Sequence, residues 1–276
     1  MDIRGDAELL EKVSTLRRSL GRLSRVYSFM GLNLRRLVLN IVGIPGYFRD
    51  MILYSRQGPS STFRIRLRDC YPILDERGQA AGILDGVYFH QDLWAARKIF
   101  QHKPEKHIDI GSRMDGFIAH LLTFMSVTVI DIRPVESKIS GLTMVQDDAT
   151  QLKGFADHSV DSISSLHVAE HFGLGRYSDP VDPNAYLKFI KSLQRVLRPG
   201  GRLYFSVPIG RERVEFNAHR VFATSTIINS FEELSLVSFS FVDDLGRLHE
   251  YLDPECCQNA EYGCGLFEFT RTPPLA

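Results

Sequence analysis

The stretch HIDIGSRMDGFIAHL, residues 107–121, decides how the rest of the chain is read. An apolar run ends in Asp109, turns through Gly111 and passes into apolar residues at helical spacing. A second apolar run, VTVIDIRP at 127–134, ends in Asp131. Strand, glycine turn, helix and a further strand with a carboxylate at its end is how doubly wound α/β folds hold a nucleotide-type cofactor. The turn lets backbone approach the ligand, and the acid accepts ribose hydroxyls.

The alternation continues outward from this unit. Strands are expected at 106–110, 127–131, 142–146, 160–165, 202–207, 236–242 and 264–271. Helices are expected at 88–100, 115–124, 183–197 and 225–233, the first entered at Gln91 or Asp92, with Asp92 read as its N-cap or, as the alternative, as a carboxylate approaching the cofactor from outside. The helix at 183–197 carries Tyr186, Phe189, Leu193 and Leu197 on one stripe and stops at Arg198-Pro199-Gly200-Gly201. Strands alternating with helices form a parallel sheet covered on both faces. The last two strands lie too close to the end for a crossover, which makes them an antiparallel pair at the sheet edge. The fold class expected is α/β, doubly wound, with a mostly parallel seven-stranded sheet.

The chain has 276 residues, enough for one good core and a small extension. Its 33 basic and 33 acidic side chains cancel, so no global field favours nucleic acid. Cys70, Cys256, Cys257 and Cys264 lack paired C-x-x-C spacing and read as reduced thiols of a cytoplasmic protein. No apolar run is long enough to span a bilayer, and the opening MDIRGDAELLEK is too acidic for a secretory signal. Charge is nevertheless uneven: Lys12 to Arg49 holds eight basic residues and no acidic one. Val13, Leu16, Leu20, Leu23, Tyr27 and Met30 share a helical face opposite Arg17, Arg18, Arg22 and Arg25. This is read as a surface helix packed on its own domain. Peripheral contact with anionic lipid or an acidic partner through residues 12–49, at the inner face of a membrane, is the alternative. LVLNIVGIPGYF at 37–48 is apolar but interrupted by Gly43, Pro45 and Gly46. RQGPSSTF at 56–63 has linker composition, and TFRIRLRD at 62–69 alternates like a short strand. The domains expected are a basic helical extension, 1–60, and an α/β domain, 61–276.

Four blocks, DIGSRMDG at 109–116, VIDI at 129–132, DDAT at 147–150 and LRPGGRLYFSVP at 197–208, resemble in order and spacing the class I S-adenosylmethionine (SAM) dependent methyltransferases. The resemblance covers residues 88–271. YFHQD, HVAEHFGLGRY, FNAHRVF and YGCGLFEFT resemble a little-characterised bacterial and nematode family of methyltransferase-like proteins, some of whose members lie among genes for cell-surface polysaccharides. The resemblance implies a Rossmann-like methyltransferase fold, SAM as cofactor, and methyl transfer to an oxygen of a sugar or cell-surface glycan precursor. It places Asp109, Gly111, Ser112 and Gly116 in the first block beside the methionine half of SAM, and Asp131 with Ile132 at the ribose. It puts Asp148 and Ala149 at adenine, and His167 under the sulfonium.

Arg113 stands where the family pattern has glycine, and Asp115 replaces another. A dinucleotide enzyme would suffer, because its pyrophosphate lies against bare backbone. SAM carries a carboxylate instead, and Arg113 is expected to pair with it. The same departure admits an inactive methyltransferase-like scaffold. HVAEH at 167–171 spells the inverted zinc-protease motif, but it follows a strand rather than lying inside one helix, so it is read as a strand-end loop with no metal. Glu170 and His171 are expected at the substrate mouth, with His171 a general base for a hydroxyl acceptor and His219 a second candidate. Arg176 and Tyr177, in the glycine- and proline-punctuated stretch 173–183, and Asn217 are candidate acceptor contacts.

Overall fold

The computed structural model describes residues 33–58, 61–76, 86–133, 136–257 and 259–272. The basic face expected from Val13 to Met30 lies outside them. The chain divides into two compact units, Met1–Gly82 and Ile83–Ala276.

In the first unit, helix α1 spans Leu34–Arg56. The Asn33 side chain caps it by accepting the Arg36 N–H at 3.0 Å. The helix continues through Pro45, so the glycines and proline that interrupt the apolar run do not end it. The strand expected at 62–69 is instead two 3-10 turns, Ser61–Phe63 and Leu67–Asp69. Among the described residues this alternating stretch has no strand beside it. The N–H groups of Asp69 and Cys70 bond back to the carbonyls of Arg66 and Leu67.

The second unit opens with α2, Val87–His102. Its N-cap is Gly86, and Asp92 is not a cap: it lies inside the helix, on the buried face with Gln91. Then come β1 (His107–Ile110), a π-helical turn (Met114–Ile118) continuing as a short helix (Ala119–Leu121), β2 (Val127–Asp131), β3 (Leu142–Gln146) and β4 (Val160–Leu166). The helix α3 (Ala185–Val196) runs directly into β5 (Leu197–Ile209). A hairpin of β6 (Arg213–Glu215) and β7 (His219–Val221) precedes α4 (Thr224–Ser230), and β8 (Ser235–Val242), β9 (Leu248–His249) and β10 (Gly263–Thr270) complete the unit.

Strand order is β3-β2-β1-β4-β5-β10-β8-β9. The first five strands are mutually parallel, and β10 inserts antiparallel between β5 and β8. The two-residue β9 adds an eighth strand at the edge. This is a mixed, mostly parallel, doubly wound α/β sheet with antiparallel strands toward one edge. Side chains alternate across it. Leu203, Phe205 and Val207 of β5 pack with Phe189 and Leu193 of α3 and with Phe231, Phe239 and Phe267. Tyr204 faces the other way, into Trp94 and Ile99 of α2, Phe117, Leu121 and Leu266. Central strands are therefore buried on both sides, and β4 (VDSISSL) holds Ser162, Ser164 and Ser165 at buried positions.

Candidate functional site

The carboxyl ends of β1 to β4 converge on a cavity of about 430 Å³. Open α/β sheets bind ligands beyond the carboxyl ends of their strands, and the volume lies in the range of small-molecule sites, about 300–1,000 Å³. Of the residues singled out from sequence, Gly111, Asp131, Ile132, Asp148, Ala149, His167, His171 and Tyr177 line it. Asp109, Ser112, Arg113, Gly116, Glu170, Arg176, Asn217 and His219 do not.

The first turn is braced from below. Asp109 is fully buried and accepts the Ser112 N–H (3.0 Å), the Ser112 hydroxyl (2.6 Å) and the Ser164 hydroxyl (2.6 Å). Burial pushes its carboxyl up to about 6 despite these donors. His107 bridges Ser162 (Nδ1, 2.8 Å) and Ser164 (Nε2, 2.9 Å). Because Ser164 gives its only proton to Asp109, Nε2 must be the donor to Ser164, and Nδ1 accepts from Ser162. Burial takes the His107 pKa down to about 3, which keeps this ring neutral. Gly111 sits at φ +65°, a conformation that favours glycine, and a Cβ there would meet Val168 at 3.1 Å. Gly116 serves packing: a Cβ would lie 2.1 Å from the Asp92 carboxylate.

Arg113 is engaged locally. Its guanidinium pairs with both oxygens of Asp115 (3.0 and 2.7 Å) and lies 4.7 Å from the Tyr88 ring centre. The acids at the cavity are also held. Asp131 accepts Arg133 Nε and Nη2 at 2.9 and 2.6 Å and the Arg133 N–H at 2.8 Å. Burial works against the charge of Asp131, but these bonds outweigh it and hold the carboxyl below its usual range. The Arg133 guanidinium also stacks on Tyr177, at 4.8 Å. Asp148 accepts the Thr150 N–H (2.9 Å), the Thr150 hydroxyl (2.7 Å) and Gln151 Nε2 (3.1 Å), which folds the turn that presents Ala149. The spacing Asp131-x-Arg133 was the available signal for the Arg133 clasp, since residues two apart on an extended segment share a side.

Beyond β4, His167 takes a left-handed conformation (φ +55°), and only Ala169–His171 forms a 3-10 turn. The two histidines therefore share no helix face, and no metal-holding group occurs among the described residues. His167 Nδ1 lies 2.8 Å from Glu170 Oε1. Burial opposes charge on this ring, but Cys264 and the Glu170 carboxylate prevail and hold it well above the usual imidazole value. His167 Nε2 and Glu170 Oε2 are both buried without a hydrogen-bond partner. Such atoms are expensive in a finished interior.

His171 Nδ1 lies 2.7 Å from the Ala218 carbonyl, which can only accept, so Nδ1 carries the proton and Nε2 a lone pair. Burial, with Arg176 and His167 nearby, lowers its pKa although Glu170 opposes, so the ring is neutral. Arg176 donates to the same carbonyl (3.0 Å), and its guanidinium stacks on Tyr177 at 5.1 Å. His219 Nε2 is buried without a hydrogen bond, 3.6 Å from Glu215, and Asn217 is exposed at the β6–β7 tip. The stretch 173–183 is tightly built. Asp179 accepts the N–H groups of Gly173 and Tyr177, and the buried Arg220 donates to the carbonyls of Phe172 and Pro183.

Among solved structures, the chain is similar to the N-methyltransferase NodS from Bradyrhizobium japonicum WM9 in complex with S-adenosylhomocysteine, with 17% identity, 69% of this chain and 91% of that one covered, and a TM-score of 0.48. It is similar to the Burkholderia thailandensis 1,6-didemethyltoxoflavin-N1-methyltransferase at 16% identity, covering 66% and 79%, with a TM-score of 0.46. It is likewise similar to the [4+2]-cyclase SpnF at 12% identity, covering 66% and 81%, with a TM-score of 0.48. No curated protein matches its sequence. The family model described as Caenorhabditis protein of unknown function, DUF268, matches residues 113–254, just over half of the chain, and the chain therefore belongs to the DUF268 family.

Proposed function

We propose that the chain is a SAM-dependent methyltransferase that acts on an oxygen of a sugar or glycan precursor. The observation that carries this reading is a neutral histidine, His171, lining a cavity whose other wall is formed by Asp131 and Asp148. The residues fit the cofactor: Asp131 suits the ribose hydroxyls, Asp148 and Ala149 suit adenine, and the unpartnered His167 Nε2 suits an acceptor atom on the amino-acid half. When bound, SAM supplies an electrophilic methyl group.

The work of this chain is then to hold, orient and deprotonate. An acceptor hydroxyl gives its proton to His171 Nε2, and Glu170 Oε1, 3.8 Å away, steadies the imidazolium that results. Tyr177 and the loop around it keep water from the acceptor oxygen. A sugar is favoured as acceptor by the family resemblance, with Tyr177 lining the cavity where it would sit. The same chemistry suits a cytoplasmic enzyme.

A scaffold without catalysis is the second reading, favoured by Arg133 closed over Asp131. Isothermal titration with SAM separates the two. The enzyme reading requires binding by the wild type and, in Asp131→Ala, a loss of about 1–3 kcal/mol, the value of hydrogen bonds to a charged group. A wild-type protein that gives no heat with SAM or S-adenosylhomocysteine overturns it.

A further inference from the structure

The helix α1 wears its apolar face outward. Positions 37, 41, 44, 48 and 52 fall on one stripe. Leu37, Ile41, Ile44, Phe48 and Ile52 there are 42–58% exposed. The polar and small residues Asn40, Gly43, Tyr47 and Asp50 lie on the less exposed side. Contacts on that side set the orientation. A Cβ on Gly43 would lie 2.1 Å from the Leu74 carbonyl oxygen, Arg36 pairs with Asp75 at 2.8 Å, and the Tyr54 hydroxyl donates to the Phe63 carbonyl.

The segment after the helix has the same character. Phe63 and Leu67 are 71% and 83% exposed and alternate with exposed Arg64, Arg66 and Arg68. From residue 12 to 68 the chain carries twelve Lys and Arg against one acid, Asp50, although the whole chain is neutral. Among the described residues, Arg36, Arg49, Arg56, Arg64, Arg66 and Arg68 flank the exposed apolar surface, and of these Arg36, Arg49 and Arg68 pair with Asp75, Asp50 and Asp69.

Guanidiniums beside a bare aliphatic and aromatic stripe match a surface with negative headgroups above hydrocarbon. A nucleic acid would leave the stripe in water, and a neutral bilayer would leave the arginines without counter-charge. No helix among the described residues is long and apolar enough to cross a membrane, so the contact is in-plane. We propose that α1 and residues 62–68 dock on the surface of an anionic bilayer.

The test is sedimentation of the full chain with phosphatidylcholine vesicles and with mixed phosphatidylcholine–phosphatidylserine vesicles. Binding to the mixed vesicles alone, released as salt rises, is the expected result. Arg64→Ala with Arg66→Ala weakens it by about fivefold per arginine. Ile41→Asp with Phe48→Asp abolishes it while circular dichroism and Tm stay unchanged. Equal binding to both vesicles, binding to neither, or binding intact in the aspartate variant overturns the proposal. So does a fall in Tm in that variant, which marks a packing face within the chain. A dimer in light scattering that the aspartates dissociate also overturns it, since the occupant is then a second copy.

Discussion

Replacing Arg133 by alanine tightens SAM binding if ribose hydroxyls and this guanidinium compete for the two oxygens of Asp131. The wild-type clasp is made of bonds at 2.9 and 2.6 Å to a carboxylate whose side chain is 9% exposed. Buried on both sides, such a pair would be costly to break. Arg133 is itself 52% exposed, however, so water screens it and recovers much of its solvation when it leaves. The clasp is accordingly worth about 1 kcal/mol, as for a well-formed surface pair. The stack on Tyr177 adds about 0.5–1 kcal/mol. Removing both lowers the dissociation constant for SAM by about tenfold to thirtyfold, read by isothermal titration at fixed ionic strength. The gain requires the carboxylate, so it vanishes in Asp131→Ala/Arg133→Ala. Unchanged or weaker binding in Arg133→Ala refutes the competition and makes Arg133 a part of the cofactor site.

Four further outcomes follow from the structure. His171→Gln lowers kcat by about 10²–10⁴ for an oxygen acceptor. Because burial lowers the His171 pKa, wild-type kcat/KM stays flat down through the usual imidazole range and falls only in more acidic buffer; a break above pH ~6.5 contradicts this. Since the folded pKa of His167 is raised, the stabilisation from its pair with Glu170 is complete below about pH 6.5 and is lost as pH rises through the folded value. Glu170→Gln therefore costs most stability on the acid side of that window and least in alkaline urea titrations; equal loss on both sides refutes the pairing. Gly116→Ala drives a methyl into the Asp92 carboxylate and costs about 1–3 kcal/mol, and an unshifted Tm counts against that packing role.

The sheet was legible from sequence because short runs rich in Val, Ile, Leu and Phe recur between helical segments and turn residues. β1, β2 and β3 fall at the expected positions within a residue. β5 begins earlier than expected, at Leu197, because the Pro199–Gly200 turn is bridged to Arg271 and extends the ladder. The β6–β7 hairpin was missed because three-residue strands carry no period. Asp92 misled because an acid at the head of an apolar pattern normally caps a helix, whereas here Gly116 opens room for it in the interior. Residues 62–69 alternate like a strand, but alternation cannot supply a neighbour to pair with. The acids at the strand ends were legible because strand geometry alone delivers Asp131 and Asp148 to the cavity. Their clasps were not, since Arg133 depends on Tyr177, which a distant loop supplies. Arg113 was expected opposite the cofactor's carboxylate from its place in the glycine block, and in the structure its guanidinium pairs with Asp115.

Tyr177 stands between two parts of the cavity. Arg133, from the Asp131 end, stacks on its ring, and His171, the proposed base, lies with its own ring 5.6 Å from it. A nucleoside that frees Arg133 from Asp131 therefore alters what Tyr177 leans on and, through it, the neighbourhood of the imidazole. Linkage makes such coupling reciprocal: whatever factor SAM confers on acceptor affinity, the acceptor confers on SAM. On the proposed function, the loop then couples the two ends of the cavity by the same factor in either direction.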